Sequence, residues 1–184
     1  MLALSIGAGT KRLFTSSAIF FMLFAAAALI ASEANAQNIS FGKRTWQGKA
    51  DCPRCHAWSG LGGVGEDDRA PQGANLRETV MDRATLEEVI KCGLPASEMP
   101  HFEKGAWTER KPCFGMTAED VGNDKPFIAE RHLIQREIDA LIDYMFAKMI
   151  GRGPISREEC EEYYSPGSER CRLYPTLAEI EAGA

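Results

Sequence analysis

The strongest apolar periodicity in the chain runs across Arg131 to Ile150. Ile134, Ile138, Leu141, Ile142, Met145 and Met149 recur at three- and four-residue steps, which places them on one stripe of a helix, and Gly151 stops it. A shorter stripe of Leu86, Val89 and Ile90 predicts a second helix from Arg83 to Lys91, with Thr85 as its N-cap and Gly93 just past its end. Phe41 to Asp51 reads as a short helix, and the bulky Phe41 and Trp46 belong to its packed face. Ser156 and Glu159 form a capping box for a last short helix carrying Cys160.

Between these elements the chain reads as loop. Ala57 to Gly73 holds five glycines and the acidic run Glu66-Asp67-Asp68, which lacks the ordered ligand spacing of a calcium loop. Leu94 to Phe102 is extended and broken by Pro95 and Pro100, and Gly105 to Glu130 is a long excursion without periodicity. No strand pattern exceeds a few residues and no internal repeat is present, so the fold class is all-α.

The N-terminus follows different rules. Lys11 and Arg12 precede an apolar core from Ala18 to Ala31, and Ala34-Asn35-Ala36 is a small-x-small cleavage site. This is the pattern of a secretory signal peptide over 1–36 and predicts a soluble periplasmic protein. The apolar run of about 14 residues falls short of the roughly 20 that span a bilayer, so membrane contact requires that the segment stay uncleaved. The rest of the chain reads as one domain, 37–151, with a C-terminal extension, 152–184. A formal charge of −5 argues against nucleic acid as a partner.

Six cysteines then decide the chemistry. Cys52-Pro53-Arg54-Cys55-His56 is C-x-x-C-H, the attachment signature of a c-type haem. Two thiols three positions apart on one helical turn can each form a thioether to the same porphyrin edge. The histidine directly after them becomes the proximal ligand. The same C-x-x-C also occurs in zinc sites and thioredoxin-like centres. A zinc module would recruit Cys92 and Cys113, whose separation is too wide for common structural sites, and no βαβ pattern supports a thioredoxin. Of the three pairings open to the other four cysteines, the most local joins Cys92 to Cys113 and Cys160 to Cys171.

A six-coordinate iron needs a second axial ligand from Met81, Met99, Met116, Met145, Met149, His101 or His132. Met145 and Met149 lie on the core stripe. Met99 lies on the segment pinned by Pro95 and Pro100, which can lay a side chain over an open haem face at small entropic cost. His101 and His132 read as surface or hydrogen-bonding residues.

In this order, Cys52-x-x-Cys55-His56, a Gly-rich loop, Gly73-Ala74-Asn75-Leu76, a short helix, Met99-Pro100-x-Phe102 and a closing helix with Tyr144, the chain resembles class I cytochrome c from Phe41 to Ile150. The resemblance implies a compact helical fold around one covalent haem c, with His56 and Met99 as axial ligands and Leu76 in the haem pocket. It implies an electron carrier, not an enzyme, working between partner proteins such as a quinoprotein dehydrogenase and a terminal oxidase. It also implies that the first and last helices cross, bringing Trp46 and Tyr144 into the core. Family members often carry Gly-Pro-x-Leu, whose proline carbonyl accepts from the proximal histidine; here Ala74 stands at that proline, leaving the acceptor for His56 open. The alternative is a haem enzyme or gas sensor in which Met99 leaves the sixth site open.

Overall fold

The computed structural model describes residues 35–63 and 69–183, of which Asn38 onward belongs to one compact unit. All but the last two residues of the expected signal peptide, and the acidic triplet at 66–68, lie outside the described residues. The described chain is helical with no strand; its β-type pairing is confined to isolated bridges such as Gly63 to Gly73 and His101 to Ile128.

Helix α1 (35–44) runs into a π turn, Thr45–Lys49. The short α2 (Pro53–His56) comes next, then α3 (Arg83–Cys92), α4 (Ala118–Val121), α5 (Gln135–Lys148), α6 (Arg157–Tyr163) and α7 (Leu177–Glu181). Three boundaries differ from the sequence expectation, the first being that α1 is already helical at residue 35, ahead of Phe41, and gives way to the π turn at Thr45. The N-cap of α3 is Asp82, whose carboxylate accepts from the Thr85 amide, so Thr85 is already inside the helix. Helix α5 begins after Ile134, which is 63% exposed at the N-cap while the Glu137 carboxylate accepts from its amide. Ile134 therefore leaves the core stripe, whereas Ile138, Leu141, Ile142, Met145 and Met149 are all buried.

Helix α5 is the centre of the fold, packing on α3 and on the π turn. Its crossing with α1 is close enough to demand glycine: a Cβ at Gly42 would overlap the carbonyl oxygen of Ala140 and come within 2.7 Å of the Tyr144 Cβ. The ends of this contact are fastened by Lys49 to Glu137 at 2.7 Å and by Asn38 to Asp143. Trp46, 1% exposed, and Tyr144 sit in the main core with Leu86, Ile90, Phe102, Leu141 and Met149.

Two disulfides, Cys92–Cys113 and Cys160–Cys171, match the local pairing. The first closes a second small core of Cys92, Ala106, Trp107 and Cys113 inside the long excursion. The second closes the C-terminal extension, which is integrated with the body and not a loose tail. Arg77, 3% exposed, donates to the carbonyls of Lys148, Gly153 and Pro154 and to the Glu159 carboxylate. Trp58 stacks among Tyr163, Tyr164 and Tyr174 at ring separations of 5.1 to 5.9 Å.

Candidate functional site

The C-x-x-C-H residues occupy a single helical turn. Pro53 stands at the first helical position, where its missing N–H costs nothing. The Cys55 and His56 amides both donate to the Cys52 carbonyl, and the Cys52 amide donates to that of Trp46. The turn is bounded by two non-glycine residues in the left-handed region, Asp51 at φ 50° and Ala57 at φ 58°. Such backbone costs about 1–3 kcal/mol per residue, and it concentrates where the surroundings over-determine a functional conformation. Neither Cys52 nor Cys55 is joined in a disulfide.

The Gly-rich loop then folds back over the turn. Gly73 donates its amide to the Cys55 carbonyl at 2.8 Å, Gly62 donates to the carbonyl of His56, and Leu76 donates to that of Gly60. This return brings the Ala74 carbonyl to 2.9 Å from His56 Nδ1. The acceptor left open by the sequence is thus the backbone of the residue standing where the family pattern has proline. A Cβ at Gly73 would sit 2.6 Å from His56 Nδ1 and 2.7 Å from the Cys55 carbonyl, so a larger residue would displace the imidazole. Burial, opposed by the Ala74 bond, lowers the pKa of His56, which favours the neutral ring that a metal requires. Burial likewise pushes the Cys52 thiol up.

Cys52, Leu76 and Met99 are all half-buried and pack against the main core cluster that contains Trp46 and Phe102. The Trp46 and His56 rings lie 6.3 Å apart. Cys52, Leu76 and Met99 thus each pack against that core cluster, His56 faces it through the Trp46 ring, and Cys55 lies on α2 beside His56. Of the other methionines, Met145 and Met149 belong to the same core cluster, and Met149 also lies against Gly60 in the loop after His56. Met116 packs in the second cluster and Met81 is partly exposed. His101 is buried with Nδ1 3.2 Å from the Glu103 carbonyl, and His132 Nδ1 is buried without a hydrogen-bond partner.

Two observations bear on whether a haem fits. Trp46 Nε1 is buried with no hydrogen-bond partner in the protein, a donor that an acceptor on a bound group would satisfy. The Nδ1 contact to Ala74 leaves His56 Nε2 as the nitrogen for iron, the arrangement that fixes the tautomer of a metal-ligating histidine. Zinc fits less well, because the Cys92–Cys113 disulfide takes two of the four thiols. Among the described residues no group of three or more His, Cys, Asp or Glu side chains is placed to hold a metal ion. No helix among them is long and apolar enough to cross a membrane.

Sequence reasoning left one contributor open and missed two others. The Ala74 carbonyl is backbone and carries no side-chain signal. Arg77 reads as a surface residue because its acceptors lie more than 70 positions away. Trp58 and the three tyrosines left a trace, four aromatics in otherwise polar segments. No family model, curated protein or solved structure matches this chain.

Proposed function

We propose that the protein is an exported mono-haem c-type cytochrome that carries one electron at a time between a dehydrogenase and a terminal acceptor. The observation that carries this reading is the C-x-x-C-H turn itself, with both thiols outside any disulfide and the histidine anchored through Nδ1 to Ala74. Cys52 and Cys55 would hold the haem c covalently, and His56 and Met99 would be its axial ligands. When bound, the group supplies a reversible one-electron iron couple.

The chain's own residues set the conditions for that couple. Ala74 accepts from His56, orients the ring and raises its basicity. Met99 offers a neutral thioether, which favours the reduced metal and raises the potential. The apolar cluster of Trp46, Phe102 and Leu141 limits water, which favours the less charged state in the same direction. Docking to donor and acceptor would be transient and weaken with salt. A quinoprotein dehydrogenase as donor rests on analogy with the family.

The test is an absorption spectrum of the protein produced with the haem-attachment machinery, oxidised and reduced, with and without carbon monoxide. A covalent low-spin haem indifferent to carbon monoxide supports the carrier; Met99→Ala should then lower the potential and admit carbon monoxide. A wild-type protein that binds carbon monoxide would move the enzyme or sensor reading to the front, and absence of covalent haem would end both.

A further inference from the structure

Met99 lies inside a covalent ring. The Cys92–Cys113 disulfide closes the stretch between those residues, and the strap from Leu94 to Phe102 forms its first half. The ring is also pinned from both flanks. On one side stands the end of α3. Gly93, at φ 67°, caps that helix, and a Cβ there would lie 2.5 Å from the Met99 carbonyl and 2.8 Å from the Pro100 backbone. The amides of Phe102 and Glu103 donate to the carbonyls of Ile90 and Lys91 on the same helix.

On the other side stands the return of the excursion. Ala96 donates to the Asp124 carbonyl, His101 donates to Phe127, and Ala129 donates back to His101. The excursion is in turn fastened to α3 at three points. They are the disulfide, the 2.8 Å bond from Trp107 Nε1 to the Cys92 carbonyl, and the 2.7 Å bond from the Phe114 amide to Glu88. Trp107 and Phe114 both hold left-handed backbone to make these contacts, at φ 68° and 54°.

We propose that the excursion from Gly105 to Glu130 is a clamp whose purpose is to hold Met99 over the iron, with Cys92, Cys113 and Trp107 as positioning residues for the sixth ligand. The inference rests on the reading of Met99 as that ligand and goes beyond it. A strap opened at one end samples more conformations, and each lowers the fraction of time the thioether stays in place. The Cys160–Cys171 disulfide has no such relation to Met99; it closes the extension between α6 and the turn Glu169–Cys171.

The experiment compares exported holoprotein carrying Cys92→Ser with Cys113→Ser, Trp107→Phe alone, and Cys160→Ser with Cys171→Ser. Haem content, thermal midpoint, reduction potential and the carbon monoxide-reactive fraction are read for each. The first pair should retain covalent haem while the reactive fraction rises by about tenfold or more, since freeing a loop of this size weakens local order by at least that ratio. Its potential should fall. Trp107→Phe should move both readouts the same way by less, and it decides the matter if the double variant does not accumulate. The Cys160 and Cys171 pair should lose thermal stability with potential and carbon monoxide response unchanged. Wild-type readouts in a folded Trp107→Phe and a folded Cys92→Ser/Cys113→Ser would overturn the clamp alone. A wild-type protein already reactive to carbon monoxide would overturn Met99 as ligand, and the clamp with it.

Discussion

Replacing Arg77 by Met should destabilise the protein by about 3 kcal/mol. The guanidinium donates to three backbone carbonyls, at Lys148, Gly153 and Pro154, and to both oxygens of Glu159. Methionine has similar length and no donor. Each carbonyl stranded without a partner costs about 1–3 kcal/mol if it stays dry, and breaking a fully buried pair costs about 3–5 kcal/mol. Glu159 is 28% exposed on its side chain and also accepts from the Ser156 amide, so its carboxylate recovers part of its solvation. That discount places the expectation at the low end of the range. Urea titration gives the global value, and hydrogen exchange of the α6 amides reports whether the extension opens ahead of the core. A loss below about 1 kcal/mol with unchanged exchange in α6 would show that water replaces the guanidinium and that the extension is held by other contacts. Arg77→Lys should recover only part of the loss, since one ammonium cannot span four acceptors.

Gly73→Ala should cost about 1–3 kcal/mol by overpacking and weaken the His56 to Ala74 bond, seen as a lower urea midpoint and, where the proposed haem is attached, a shifted potential. Gly42→Ala should cost about 2 kcal/mol or more by forcing α1 off α5, read in the same titration. Asp82, held below its ordinary 3.8 by bonds from Thr85, contributes stability that is complete above that pH and lost as pH falls through the lowered value. The stability gap between wild type and Asp82→Ala, measured by thermal melts across pH 2 to 7, should therefore close on the acid side.

The legible parts of the fold were those written in local spacing. The stripe of α5, the Ser156 and Glu159 box and the two short-range disulfides each depend on residues within about 20 positions of one another. Errors arose where two residues satisfied the same rule. Asp82 and Thr85 are both good caps, and only the backbone geometry shows that Asp82 lies outside the helix. Ile134 fits the apolar period of α5 but stands one residue before its first turn. At the site, Cys52, Cys55 and His56 stood out because C-x-x-C-H fixes side-chain types at fixed spacing, and the structure places Cys55 and His56 on one helical turn with Cys52 at its N-cap. The Ala74 carbonyl stayed open because any residue supplies one, and why Gly73 must be glycine became clear only from its distance to the imidazole.

The contact between the first helix and the extension has a kinetic consequence. Lys43 donates to the carbonyls of Glu162 and Tyr163, 119 and 120 positions along the chain, and its ammonium sits over the Tyr163 ring. The helices themselves are local, but their assembly is not. Closing loops of that length precedes any reward from the contacts, so this chain should fold more slowly than helical bundles of its size, nearer to mixed domains. During synthesis Trp46 and Trp58 emerge long before α5 and the tyrosines that cover them. Trp58 would thus stay uncovered until Tyr163, Tyr164 and Tyr174 are made, and removing the segment that carries those tyrosines would leave its ring bare.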